Sequence, residues 1–338
     1  PVQYNPTTNQ ITTAQNAAIT IRHTTPPAQS APLLEDNNFI ILCADDFSDE
    51  LATLETHKEA RGITTKIVTL TEIYDGTYFT VQGRDNQEKI KYFIKDAIEQ
   101  WGTQNVMLVG GSAKFPTRTT HVNAGQGDME LFVSDLYYAD IYDDGGGFAS
   151  WDTNENNEFG EYDWNGNTDD VDLYPDVYLG RLAAVSASEV TAAVNKIKTY
   201  ETNEAYKQPW FSDIVLIGGD SFPGDEDDAL EGEVVNDEVA SIMSGFIPTR
   251  LWASNGELSS IVPTGVQNIN NAINSGVGWV DFSGHGNTYV WATHPFDNEN
   301  IWLPTPSGNY KNSDVKGLSN GDELPIVITG ACSVAKYN

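Results

Sequence analysis

Short apolar runs alternate with helix-length amphipathic stripes along this chain of 338 residues, and that rhythm constrains its fold more than anything else. Phe39–Ala44 (FIILCA), Thr65–Leu70 (TKIVTL) and Asn105–Gly111 (NVMLVGG) are apolar and brief, as strands buried on both faces are. Between them lie helical stretches. Ser48-Asp49-Glu50 offers a capping hydroxyl and then acids, Leu51, Leu54 and Lys58 continue, and Gly62 ends the segment. Asp85 with Glu88 three residues on reads as a second helix start. The stripe Ile90, Phe93, Ile94, Ala97, Ile98, Trp101 follows, and Gly102 stops it. Strand–helix alternation of this kind predicts a parallel α/β sheet with helices on both faces.

The rhythm breaks over residues 112–184, an acidic, glycine-rich and aromatic insertion too long to be an idle loop. It then resumes. Ser186 and Glu189 open a helix to about Tyr200. Asp213–Gly219 (DIVLIGG), Pro248–Ala253 (PTRLWA), Gly278–Gly284 (GWVDFSG) and Leu324–Gly330 (LPIVITG) read as strands, with helices near Asp227–Ser244 and Gly265–Asn274. Two α/β subdomains are therefore expected, 35–200 and 201–338. They follow a lead-in of residues 1–34 with one or two polar strands and a proline-rich linker from Thr24 to Leu34.

Charge narrows the function. With 49 acids against 18 bases the net charge is −31, which repels nucleic acid and anionic membrane and suits bound cations or a saline exterior. No apolar run approaches membrane-spanning length. Two cysteines make no disulfide scaffold, and Cys43, inside an apolar run, reads as core.

Ligands of open parallel sheets bind at the carboxyl ends of strands. Three apolar runs of the second half deliver an acid, an imidazole and a thiol there: Asp220, His285 and Cys332. Glycines flank the imidazole and allow sharp turns and close approach. Together they are the inventory of a Cys-His nucleophilic site with an orienting carboxylate. Each alone has a blander reading, a buried thiol or a turn histidine.

SGHGN (Ser283–Asn287), followed by a strand ending in GACS (Gly330–Ser333), resembles the gingipain family of cysteine peptidases with its caspase-like fold. YNPTTNQITT (Tyr4–Thr13) resembles the last strands of that family's propeptide, and DLYYAD (Asp135–Asp140) and PDVYLGR (Pro175–Arg181) resemble stretches of its first subdomain. The resemblance implies a caspase-like α/β fold of parallel-rich sheets flanked by helices, and a secreted or cell-surface endopeptidase. Cys332 would be the nucleophile, His285 the general base and Asp220 the orienting acid, with Gly286 and Cys332 N–H groups as oxyanion hole and a thioester intermediate. Glu233 matches the specificity-pocket acid of arginine-directed members, although Glu231 and Glu238 allow the register to slip. The plain alternative is a solvated acidic helix face.

A second cluster lies in Trp151–Asp170. Asp152, Asn154 and Asn156 recur at two-residue spacing, and Glu158, Glu161 and Asp163 extend the oxygen supply, as in calcium loops. Asn157 stands where an EF-hand has its turn glycine, and no helices flank the segment. The expectation is structural calcium rather than a loose acidic insertion, with a weaker second cation site near Asp225–Asp228.

Two other functions compete: a degenerate peptidase scaffold serving as a binding or adhesion module, and an acyl transferase or peptide ligase using the same dyad. Labelling by a thiol-reactive peptidyl inhibitor separates the first, and product analysis with an added amine the second. The catalytic strand ends close to Asn338, so a second polypeptide continuing the sequence after Asn338 is expected, and residues 1–34 are expected to be a propeptide remnant.

Overall fold

The computed structural model describes residues 2–5 and 10–13 and then 37–334, apart from 124, 126–128 and 227. β1 (Val2–Asn5) and β2 (Gln10–Thr13) pair antiparallel, so part of the lead-in is the polar strand expected. The rest of that segment, its linker and the chain end after Val334 lie outside the described residues.

The first sheet begins with β3 (Phe39–Cys43), α1 (Ser48–Glu59), β4 (Thr65–Thr69), α2 (Leu70–Tyr74), α3 (Asn86–Trp101) and β5 (Asn105–Val109). Asp85 caps α3 by accepting the Glu88 N–H at 2.8 Å, and Gly102 closes it at a φ of 69°. Ser48 differs from expectation. A short 3-10 turn, Asp45–Phe47, leads into α1, and the Ser48 hydroxyl donates to the Asp45 carbonyl instead of capping.

Three short strands and a helical turn follow: β6 (Thr119–Asn123), β7 (Met129–Val133), α4 (Leu136–Ala139) and β8 (Glu161–Tyr162). Then come β9 (Tyr178–Leu182) and α5 (Ala187–Thr202). β9 pairs parallel with β5, giving the order β4-β3-β5-β9. The region read as an insertion over 112–184 therefore ends earlier, because β9 is an edge of the main sheet. Both faces of the sheet are covered. α3 packs Ile90, Phe93, Ile94, Ala97 and Trp101 on one side with Tyr137, Trp151 and Phe159, and α1 and α5 bring Leu51, Leu54, Val190 and Val194 to the other.

The second sheet is built from β10 (Asp213–Gly218), α6 (Glu231–Ile242), β11 (Ile247–Trp252), α7 (Gly265–Asn274) and β12 (Trp279–Ser283). A small antiparallel group follows: β13 (His285–Gly286), β14 (Val290–Ala292) and β15 (Tyr310–Lys311). α8 (Asn312–Val315) and β16 (Ile326–Gly330) complete it. The order is β11-β10-β12-β16, all parallel. α7 buries Ile269 and Ile273 against Val215, Ile217 and Val280 on one face. α6 comes so close on the other that a Cβ at Gly232 would lie 2.5 Å from the Ser283 carbonyl.

Candidate active site

Strand register assembles the site. Gly218 pairs with Ser283, and Ser283 with Gly330. Asp220, His285 and Cys332 each follow one of those level positions by two residues, on neighbouring strands about 4.8 Å apart. Residues separated by dozens of positions thus reach one rim. The His285 turn rests on the Cys332 turn: a Cβ at Gly286 would lie 2.9 Å from the Cys332 carbonyl oxygen, and the Gly284 N–H donates to the Gly330 carbonyl at 3.1 Å. β13 and β14 form the hairpin that holds the imidazole, with His285 opposite Ala292.

His285 Nε2 sits 2.6 Å from the Ser221 carbonyl oxygen. A carbonyl only accepts, so Nε2 carries the proton and Nδ1 is left to take one. The ring is walled by Phe222, His294 and Trp302, with centroids 5.9, 5.9 and 5.6 Å away. Cys332 is exposed. Cys43 is buried, and desolvation, with Asp45, Glu72 and Asp46 behind it, pushes its thiol up to about 12.

Asp220 is at the rim, but its carboxylate serves its own loop: Oδ1 accepts from the Phe222 N–H at 3.0 Å and Oδ2 from the Asp297 N–H at 2.8 Å. The group recorded on the imidazole is therefore the Ser221 backbone, which sequence reasoning missed because a carbonyl carries no residue signal.

Glu233 is buried, not on a solvated face. It accepts from the Ser254 N–H at 2.9 Å and the Ser254 hydroxyl at 2.5 Å, and burial raises its carboxyl above the usual range. It does not line the pockets that touch His285. The acids that do are Asp225 and Glu299, in a cavity of about 600 Å³ with Phe222, Pro223, His294 and Trp302.

The acidic loop is ordered around itself. Asp152 is buried and takes the Asn156 N–H on Oδ1 at 2.9 Å and the Asn157 N–H on Oδ2 at 3.2 Å, as the first acid of a calcium loop does. Asn157 sits at a φ of 66°, a left-handed conformation that Asn tolerates in place of glycine. The amides of Asn154 and Asn156 converge on Glu161 Oε2 at 2.7 and 3.0 Å, and Glu161 Oε1 is buried with no partner among the described residues. Asp163 lies apart, accepting from Asn123 at 3.0 Å, and Glu158 contributes its N–H to Asn156. Arg84 pairs with Asp152 at 2.5 Å. Among the described residues no group of three His, Cys, Asp or Glu side chains is placed to hold a metal, so a cation here would depend on the asparagine oxygens. The weaker site near Asp225–Asp228 includes Asp227, which is outside the described residues.

A caspase-like α/β sheet with a thiol and an imidazole at adjacent strand exits defines the class as a cysteine peptidase fold. Residues 33–338 match the model of Peptidase family C25, and the chain belongs to that family, the gingipain-like cysteine peptidases. Curated relatives include gingipain R1 of Porphyromonas gingivalis, 22% identical over 90% of this chain and 25% of the relative. Gingipain R2 of the same organism is 22% identical over 88% of the chain and 32% of its own length. The chain thus spans about a quarter to a third of these relatives. Among solved structures, the Arg-specific cysteine proteinase gingipain R (RgpB) superposes with a TM-score of 0.58 at 19% identity, over 89% of this chain and 56% of that one. A complex of RgpB pro- and mature domains gives 0.53 at 19%, over 87% and 55%. These superpositions support the fold.

Proposed function

We propose that this chain is a secreted or cell-surface endopeptidase whose nucleophile is Cys332. The observation that carries the reading is the level register of β10, β12 and β16, from which Asp220, His285 and Cys332 emerge two residues on. His285 takes the thiol proton at Nδ1 while Nε2 stays on the Ser221 carbonyl. The sulfur attacks the scissile carbonyl, and the oxyanion is met by N–H groups of Gly286 and Cys332, each such donor worth on the order of 10²–10³ in rate. His285 passes its proton to the leaving amine as the C–N bond breaks. Water, activated by the same imidazole, then hydrolyses the thioester. Asp220 shapes the turn that presents Ser221.

Asp225 and Glu299 beside His285, with the exposed rings of Phe222 and Trp302, favour a basic substrate side chain. That agrees with the Arg specificity in the name of the gingipain R structure. Glu233 acts on such a substrate only if Ser254 releases it. Asp152, Asn154, Asn156 and Glu161 are the group that would hold a structural calcium ion, neutralising carboxylates and fixing the loop.

The test uses a thiol-reactive peptidyl inhibitor and a peptide library. Modification at Cys332 and not Cys43, loss of turnover in Cys332→Ala, and loss of several orders of magnitude in His285→Ala are expected. Wild-type activity in Cys332→Ala overturns the mechanism. A library profile with no basic preference, or one unaltered in Asp225→Asn and Glu299→Gln, removes those acids from substrate recognition.

A further inference from the structure

Two hydrogen bonds in series join the first turn of α6 to the imidazole. Glu231 Oε2 accepts from the Ser221 N–H at 2.8 Å, and the Ser221 carbonyl holds His285 Nε2 at 2.6 Å. The second carboxylate oxygen, Glu231 Oε1, is buried and has no hydrogen-bond partner among the described residues. An unsatisfied buried carboxylate oxygen is costly and calls for a reason. Asp220, the acid adjacent in sequence, has both oxygens engaged by backbone N–H groups. Glu233, two residues on, is engaged by Ser254. Of the three carboxylates around the β10 exit, Glu231 alone has an oxygen left over.

We infer that Glu231 is the positioning residue for His285. It fixes Ser221 so that the carbonyl meets Nε2, and its charge favours the imidazolium that forms when Cys332 gives up its proton. This deepens the peptidase reading and rests on it. In the step concerned, the S–H bond of Cys332 breaks, an N–H bond forms at His285 Nδ1, and the other proton stays on Nε2, donated to the Ser221 carbonyl. Thiolate and imidazolium then coexist, and a nearby carboxylate stabilises the cation.

Other titratable groups face the ring. His294 is 5.9 Å away centroid to centroid, Asp225 and Glu299 line the adjoining cavity, and Asp220 precedes Ser221. The test therefore compares variants at Glu231 alone. Glu231→Gln keeps the size and an acceptor for Ser221 but removes the charge. Glu231→Asp keeps the charge and shortens the reach. The readouts are kcat and KM separately, and the pH dependence of Cys332 alkylation by iodoacetamide, located by peptide mapping.

In Glu231→Gln the alkaline limb, where imidazolium is lost, should move down by about 0.5–1 pH unit. Its kcat should fall roughly tenfold with KM unchanged, about 1.4 kcal/mol of transition-state stabilisation. Glu231→Asp should keep the limb in place while kcat falls. An unmoved limb with unchanged kcat in Glu231→Gln overturns the inference. Should that variant fail to fold, Glu231→Asp decides: an unchanged kcat there also overturns it. Absence of Cys332-dependent turnover in the wild type would sink the peptidase reading separately, because the alkylation profile needs only the thiolate and still reports on Glu231.

Discussion

The two cysteines meet opposite fates. Cys43 ends a strand whose neighbours Ile40, Ile41 and Leu42 are fully buried, and its thiol is held protonated by desolvation. Cys332 lies two residues past its strand and is exposed. Beside it, Gly286 has no room for a side chain: an added Cβ would lie 2.6 Å from Val334 Cγ1 and 2.9 Å from Ala331 Cβ. Gly286→Ala should displace the Cys332 turn from the imidazole and lower kcat by about 10²-fold, the scale of one lost oxyanion donor. The melting temperature should hardly move, since the clash is at the rim. Unaltered kcat in a folded Gly286→Ala protein would refute the close packing of the two turns.

At the scale of elements, α3 shows what a stripe reveals and conceals. Its apolar positions were legible from their spacing, and five of the six are buried. Lys91, the residue after Ile90, gave no sign of burial, yet it is fully enclosed, with Nζ on the Ala149 carbonyl and over the Tyr137 ring at 4.4 Å. Burial pushes its ammonium down, with Asp140 opposing. The unfolded chain therefore keeps this proton at pH values where the folded chain has released it. Stability should rise as pH climbs from the depressed folded value toward the ordinary lysine value. The Asp140 carboxyl opposite is raised by burial, with the Trp151 indole N–H and Lys91 opposing. Lys91→Met should flatten the rise in melting temperature from neutral pH to about pH 9; an identical slope in both proteins would exclude Lys91 as its source. The long strands and helices were readable because burial on both faces makes them uniformly apolar. β6, β7 and β8 were not, because β7 is exposed along its length and β8 is two residues long. β9 was missed for the same reason: an edge strand with Tyr178 exposed and a glycine, Gly180, at its midpoint lacks the apolar run. The thiol and imidazole were legible because they sit at strand exits. The Ser221 carbonyl and the inward turn of Glu233 depend on backbone direction and helix docking, which side-chain identity does not encode.

For the whole molecule, a net charge of −31 means that the folded chain repels itself, and bound cations relieve that repulsion. Calcium at Asp152, Asn154, Asn156 and Glu161 should add about 2.7 kcal/mol at 100 times its Kd. Melting temperature should fall with chelator and recover with calcium, and Glu161→Gln should remove the response by taking away the buried, unpartnered oxygen. No shift across millimolar calcium in the wild type would exclude a structural ion in this loop.

The level ends of β10, β12 and β16 have one further consequence, for insertions and deletions. Part of the stretch between the histidine turn and the last strand belongs to the rim, since β14 pairs with the His285 strand, Asp297 donates to Asp220, and His294 and Trp302 wall the ring. The remainder, residues 316–322 between α8 and β16, is connection, and its length is free to change without touching the rim. A single residue added inside β16 would instead invert the strand's faces and carry the thiol to the wrong side. The coding sequence should therefore be tolerant to length change in such connections and intolerant within windows of five or six residues. An insertion scan scored for activity would show this as narrow troughs at the three strands.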